Sequence, residues 1–242
     1  MNGRYNGALL ALSLSVLCYS CTVSNKIHLA ADGSGSLEAQ ATAYPFTSEA
    51  FEDLALMGGF ENATQLSEEG LRSTKEGLEA QTAVSQVQLN GYGIGSWDAT
   101  VQFTNIASLF AGPKDESLVS WEKDSKHSTL TLQFNRRNAH ALEQWIPLLQ
   151  DPTFMLFNPA ATGEYAEDEY VRDILGFTFG EENILSIRGS KLTLEVTYPG
   201  VLEQVTGGRA ITNNTVQFVA PISRVLVPEE GLLWTATWKD QS

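Results

Sequence analysis

The sequence predicts an α+β fold, a largely antiparallel sheet with its helices grouped on one face, behind an N-terminal export segment. Three observations carry this. Apolar and polar residues alternate in short runs from Ile27 to Ala43, from Val84 to Phe134 and from Leu192 to Trp238, the period of half-buried strands. Between those runs the spacing becomes helical, and helices gathered between blocks of strands mark α+β rather than alternating βα units. Hydrophobic residues make up 43% of the chain and aromatic ones 10%, enough for a packed core.

The N-terminal segment carries an apolar run from Ala8 to Leu17, with Arg4 the one charge before it. That run is too short to span a bilayer and has the size of the apolar part of an export signal. It leads into Leu17-Cys18-Tyr19-Ser20-Cys21, and the chain then turns polar. A small residue directly before a cysteine resembles a bacterial lipoprotein processing site. Cutting would follow Ser20, and Cys21 would become the first residue, carrying palmitate-type acyl chains. The expected organisation is a lipoprotein signal over residues 1–20 and one exported domain over residues 21–242, anchored through Cys21. Three other readings stay open. The segment could be an uncleaved anchor, or a secretory signal cut after Ser20, or the acylated residue could be Cys18, although Leu17 suits the cutting enzyme poorly.

After the anchor, Ile27, Leu29 and Ala31 alternate, Asp32-Gly33 turns the chain, and Leu37, Ala39, Ala41 and Ala43 alternate again. This predicts a β-hairpin. About five residues separate Cys21 from it, a reach under roughly 20 Å, so a lipid there would hold the domain close to the membrane. Thr47 caps a predicted helix, with Phe46 and Phe51 as its staple and Ala50, Phe51, Leu54 and Met57 as its apolar face. Gly58-Gly59 stops it. A second helix is predicted from Ser67, between Leu66 and Leu71, weakened by Gly70 and Gly77.

Val84 to Phe134 reads as an antiparallel meander with a Thr/Gln-rich outer face. Asn138 then caps a short helix carrying Leu142, Trp145 and Ile146, which Pro147 bends or ends. Beyond Asp151-Pro152 and Asn158-Pro159, the residues Tyr170, Val171, Ile174 and Phe177 outline another amphipathic helix. Its acidic start, Glu164 to Glu169, suits the positive end of a helix dipole. Strands return at Leu192–Tyr198, Val216–Ala220 and Trp234–Trp238.

Charge and cysteine content narrow the function. With 15 Lys and Arg against 29 Asp and Glu, the net charge is −14. No basic cluster exceeds Arg136-Arg137, so nucleic acid is not expected as a partner, nor is electrostatic docking on anionic lipid. Both cysteines lie at the signal junction, so the exported domain is expected to be stable without a disulfide. His28, His127 and His140 are scattered and show no zinc spacing. No nucleophile elbow or phosphate loop occurs. Gly91-Tyr92-Gly93-Ile94-Gly95 lies between two strands and opens no helix, so it reads as a turn. The run Glu164–Glu169 lacks the spacing of a calcium loop. Glu195 falls on the polar side of its strand. No catalytic residue, metal ligand or cofactor is expected.

The aromatic residues are the more informative signal. Trp234 and Trp238, with Ala236 between them, project from one face of one strand. Phe103, Trp121, Phe134, Tyr198 and Phe218 sit on neighbouring strands. They form the core between the layers, or, if Ala39, Ala41 and Ala43 leave a hollow beneath them, Trp234, Trp238, Phe218 and Phe134 line an apolar ligand site.

Leu194-Glu195-Val196-Thr197-Tyr198-Pro199-Gly200, the Gly207-Gly208 turn, Asn213-Asn214-Thr215-Val216 and Leu233-Trp234-Thr235-Ala236-Thr237-Trp238 resemble the LppM-type bacterial lipoprotein domain. The hairpin Ala31-Asp32-Gly33-Ser34-Gly35 also resembles lipoproteins of this kind, including spirochaete ones. The resemblance implies an α+β domain facing the cell envelope, with lipid or glycolipid contacts and no catalytic residue. The expected function is therefore a non-enzymatic binding or assembly module, lipid-anchored at a membrane and facing the periplasm or exterior. Its partners would be the membrane, a lipid or glycolipid, and other envelope proteins. A lipid carrier with an apolar cavity and a hydrolase with an acidic site are the alternatives.

Overall fold

The computed structural model describes residues 21–109, 117–139, 159, 163 and 165–240. The predicted signal over residues 1–20, the helix around Leu142–Ile146 and the loop at Asp151-Pro152 lie outside them.

Strands β1 (Cys21–Leu29) and β2 (Gly35–Ala43) pair as the hairpin that the Asp-Gly signal predicts. Gly33 has a φ of 84°, a conformation that favours glycine, and the Asp32 carboxylate accepts from the Ser34 amide at 3.0 Å. The first strand begins at Cys21 rather than Ile27, so the expected spacer of about five residues does not exist. Asn25 hides that earlier start. Val23, Asn25, Ile27 and Leu29 all point inward and are buried, and one polar residue breaks the apolar rhythm.

The larger sheet adds β3 (Val84–Gly91), β4 (Trp97–Phe103), β7 (Lys191–Thr197), β9 (Gly208–Ala210) and β10 (Thr215–Pro221), in the order β3-β4-β2-β1-β7-β10-β9. Its pairs are antiparallel apart from β1 with β7, which run parallel. The smaller sheet contains β5 (Val119–Lys123), β6 (His127–Phe134), β8 (Val201–Thr206) and β11 (Leu232–Lys239), ordered β5-β6-β11-β8 and antiparallel throughout. The predicted meander is thus divided: β3 and β4 belong to one sheet, β5 and β6 to the other. Alternation tells a strand which way its side chains point, but not which sheet it joins.

The outer face of the larger sheet stays polar and open, with Lys26, Glu38, Gln40, Gln86, Gln88 and Gln102 exposed. The inner face is apolar. Helices and the smaller sheet both pack against it, so the helices share that face with strands.

Helix α1 (Thr47–Met57) comes directly after β2. Thr47 is its first residue rather than its cap, and its hydroxyl donates to the Tyr44 carbonyl at 2.7 Å. Helix α2 (Ala63–Glu79) begins earlier than Ser67 because Asn62 caps it, accepting from the Gln65 amide at 2.9 Å. It runs through Gly70 and Gly77 to Glu79, since buried Leu66, Thr74 and Leu78 fasten it to the sheet. Asn138 is buried and caps the turn after β6, accepting from the Asn135 amide at 2.8 Å and donating to the Gln133 carbonyl at 2.9 Å.

After a short turn of helix, α3 (Ile106–Leu109), comes α4 (residues 167–179). It is α-helical at Glu167–Glu169, π-helical at Tyr170–Leu175 and α-helical again at Gly176–Phe179. Tyr170, Val171 and Leu175 are buried, but Phe177 is turned out to solvent, against the apolar stripe its spacing predicts. The wider π turn inserts a residue into the helical repeat and rotates the final turn of the helix, which a period of 3.6 does not anticipate. Two short helices, α5 (Ile184–Gly189) and α6 (Ile222–Leu226), lead into β7 and out of β10.

Candidate functional site

Three features could carry chemistry: the aromatic seam between the sheets, the polar groups buried under the larger sheet, and the end of that sheet holding Cys21. The seam joins the two sheets. Phe218 on β10 stacks on Trp234 on β11, with centroids 5.2 Å apart and planes at 9°. Trp238 packs on Tyr198 at 5.4 Å, and Trp121 meets the same tyrosine edge-on at 5.4 Å. Trp234, Trp238, Phe218 and Phe134 are all buried. Both indoles of β11 point inward, as their alternation predicts, while Thr235 and Thr237 lie partly exposed. The Trp238 indole N–H donates to the Asn214 carbonyl at 3.3 Å.

A polar brace crosses the seam, unforeseen in the sequence. The Tyr198 hydroxyl donates to Asp240 Oδ1 at 2.7 Å, and the Ser128 hydroxyl donates to the same oxygen at 2.9 Å. Lys123 lies 3.3 Å from the other carboxylate oxygen and donates to the Ala31 carbonyl at 2.6 Å. Burial pushes the Asp240 carboxyl up, but the bonds from Tyr198, Ser128 and Lys123 outweigh it and hold the group below its ordinary value. Burial pushes the Tyr198 hydroxyl up, and Asp240 adds to that. Every member of this cluster is occupied by another, so it ties β5, β6, β7 and β11 together and offers no free acid or base.

Among the described residues, two buried side-chain polar atoms beneath the larger sheet have no partner, Asn25 Oδ1 and Trp97 Nε1. Asn25 is paired across the sheet with Ala39, and Ala39 with Ala99, on one side, and with Leu194 on the other. Its amide N–H donates to the Thr193 carbonyl at 3.4 Å. The signal that could have found it is its place as the polar member of the inward row of β1.

The other candidates are engaged elsewhere. His28 is exposed. His127 sits 3.5 Å from Asp124 and 3.4 Å from Glu203. His140 lies outside the described residues. Glu195 faces the polar side as expected and accepts from Gln217 at 2.9 Å. In the acidic start of α4, Glu167 accepts from Ser223 at 2.6 Å and Asp168 pairs with Arg188 at 2.7 Å. The Gly91–Gly95 stretch is the β3–β4 turn, closed by the Tyr92 amide donating to the Ser96 carbonyl at 2.8 Å. Arg136 and Arg137 rim an open polar depression, yet the Arg136 guanidinium is spent on the carbonyls of Gly163 and Tyr165. Among the described residues, no three His, Cys, Asp or Glu side chains come together as metal ligands.

The third feature is the start of β1. Cys21 pairs with Ala43 at one end of the larger sheet, in a strand flanked on both sides by β2 and β7. The fold and its sites thus define a two-sheet α+β domain with the cysteine singled out in the sequence, Cys21, in its first central strand.

No family model matches this chain, and no curated protein does. Among solved structures, the chain is similar to the folded domain of LppM from Mycobacterium tuberculosis, determined by NMR. The two are 13% identical with a TM-score of 0.41, over 92% of this chain and 91% of that one. This is a distant structural relationship, and the architecture above stands on its own strand pairing.

Proposed function

We propose that this chain is a bacterial cell-envelope lipoprotein, held at a membrane by acylated Cys21 and serving as a non-enzymatic binding or assembly module. It faces the periplasm or the exterior. The observation that carries this reading is the place of Cys21. It comes after an apolar run of signal length and lies within β1, paired with Ala43. A lipid there leaves no tether, so the domain rests on the bilayer surface. Among the described residues, the titratable groups with displaced pKa values lie in exposed ion pairs and hydrogen bonds or in the Asp240 brace. The expected outcome is that the mature protein starts at Cys21 and partitions into detergent, and that Cys21→Ala releases it or stalls its processing. Normal cleavage with unchanged membrane retention in that variant would sink the reading.

A lipid carrier is the second reading, favoured by one observation: two unpartnered polar atoms, Asn25 Oδ1 and Trp97 Nε1, on an apolar face floored by Ala39 and Ala99. A buried acceptor without a partner is costly unless something supplies a donor. On this reading the chain binds a fluorescent fatty acid, and Asn25→Leu weakens that binding. A dry core gives the opposite result, with no binding and a more stable Asn25→Leu variant.

A further inference from the structure

Five large apolar side chains are the most exposed of those described: Phe177 at 89%, Leu185 at 83%, Met57 at 67%, Tyr92 at 66% and Leu56 at 64%. They come from four separate elements, and the topology brings all four to one end of the larger sheet. The β3–β4 turn sits over the end of β2, where the Ala43 amide donates to the Ser96 hydroxyl at 3.2 Å, and its Tyr92 folds back over the outer face of the sheet, the hydroxyl donating to Asp98. Ala43 is the partner of Cys21. Leu56 and Met57 close α1, just before α2, and the first turns of α2 lie beside the same turn through the Ser67 hydroxyl and the Gly93 carbonyl, 3.4 Å apart. Leu185 belongs to α5, which feeds β7, and β7 runs parallel to β1 with Leu192 beside Val23. Phe177 is on the last turn of α4, which packs on α1, and the neighbouring Gly176 lies against Ile184 of α5. Exposed apolar residues elsewhere, such as Leu233 at 54% and Ile211 at 45%, are fewer and less protruding.

We infer that this end of the domain is a membrane-contact face, in which Leu56, Met57, Phe177 and Leu185 enter the interfacial layer of a bilayer around the Cys21 anchor. The inference rests on the anchored reading of Cys21 and adds how the domain is oriented. Two observations select a bilayer as the occupant. Residues 1–20 lead into the domain at this end through Cys21, and on the anchored reading the acyl chains of Cys21 enter the bilayer here. From the β3–β4 turn to the start of β7 the end spans five strands, about 19 Å at ~4.8 Å per strand, a breadth that suits a flat surface better than a groove for one chain. Charge defines the lipid. Glu49 and Asp53 of α1 and Glu181 and Glu182 before α5 border this end, in a protein of net charge −14. Insertion is therefore apolar, into electrically neutral headgroups, and gains nothing from anionic ones. The π segment of α4 has a role in this arrangement, since it turns Phe177 outward.

The test is hydroxyl-radical footprinting of the full chain and of its Cys21→Ala form, with and without phosphatidylcholine vesicles. In the membrane-held full chain, labelling of Met57, Phe177 and Leu185 is expected to fall about threefold or more, while Leu233 and Ile211 label as before. In Cys21→Ala without vesicles all five label freely. Equal labelling of Phe177 and Leu233 in the membrane-held chain overturns the inference while leaving the anchor intact. Protection already present without vesicles also overturns it, and assigns the face to a second copy or to residues 8–17. Retention of Cys21→Ala at the membrane would count against the anchor alone, because the footprint still reports whether the face meets lipid.

Discussion

At the scale of single residues, Tyr198 and Asp240 join the two sheets by a hydrogen bond. The tyrosine ring lies among Trp121 and Trp238, while its hydroxyl meets a carboxylate that also holds Ser128 and Lys123. Removing the hydroxyl in Tyr198→Phe leaves the ring packing intact and takes away one charge-assisted bond, which is expected to cost about 1–2 kcal/mol at neutral pH. The lowered pKa of Asp240 makes that cost depend on pH. A carboxyl whose pKa is lower folded than unfolded stabilises the fold above its unfolded value, near ~3.9 for Asp. That contribution is lost as the pH falls through the folded value. The gap between wild type and Tyr198→Phe should therefore shrink on acidification below about pH 4, as measured by denaturant unfolding. A gap that stays constant down to strong acid would mean that the carboxylate takes no part.

At the scale of elements, strands are more legible in the sequence than sheets. β2, β4, β6, β7 and β11 announce themselves because one face is buried and the other wet, so composition alternates along each of them. The same rule fails in β1, where Asn25 takes an inward place for which its side chain gives no apolar signal. It cannot show that β5 and β6 leave the sheet of β3 and β4, because local periodicity carries no information on long-range pairing. Helix ends escape it where chemistry outside the apolar stripe decides them: Asn62 starts α2, and packing carries it past two glycines. In α4 the stripe itself shifts at Tyr170–Leu175, and Phe177, placed by its spacing with the core, stands in solvent. Among the candidate site residues, Trp234, Trp238, Phe218 and Phe134 do lie on the inner aromatic face. The brace is illegible, because Ser128, Tyr198 and Asp240 are distant in sequence and meet only through the sheet-to-sheet packing.

At the scale of the whole molecule, the question is whether two sheets with separate hydrogen-bond ladders behave as one unit. The chain crosses between them repeatedly. β7 is in the larger sheet, β8 in the smaller, β9 and β10 in the larger again and β11 in the smaller. Neither sheet can fold without drawing in strands whose neighbours in sequence belong to the other. The seam of Phe218 on Trp234 and Tyr198 on Trp238 gives that exchange its apolar area. Truncating Trp234 or Trp238 to Ala should cost about 3–5 kcal/mol, against much less for Thr235→Ala or Thr237→Ala on the other side of the same strand. If the sheets are coupled, the loss is shared. Hydrogen exchange in β2 and β4, which do not pair with the truncated side chain's strand, should quicken as much as exchange in β6, and the thermal transition should remain single. Exchange that quickened in β5, β6, β8 and β11 alone would show two independently unfolding layers. The membrane face at the Cys21 end would then belong to the larger sheet and its helices, without support from the smaller one.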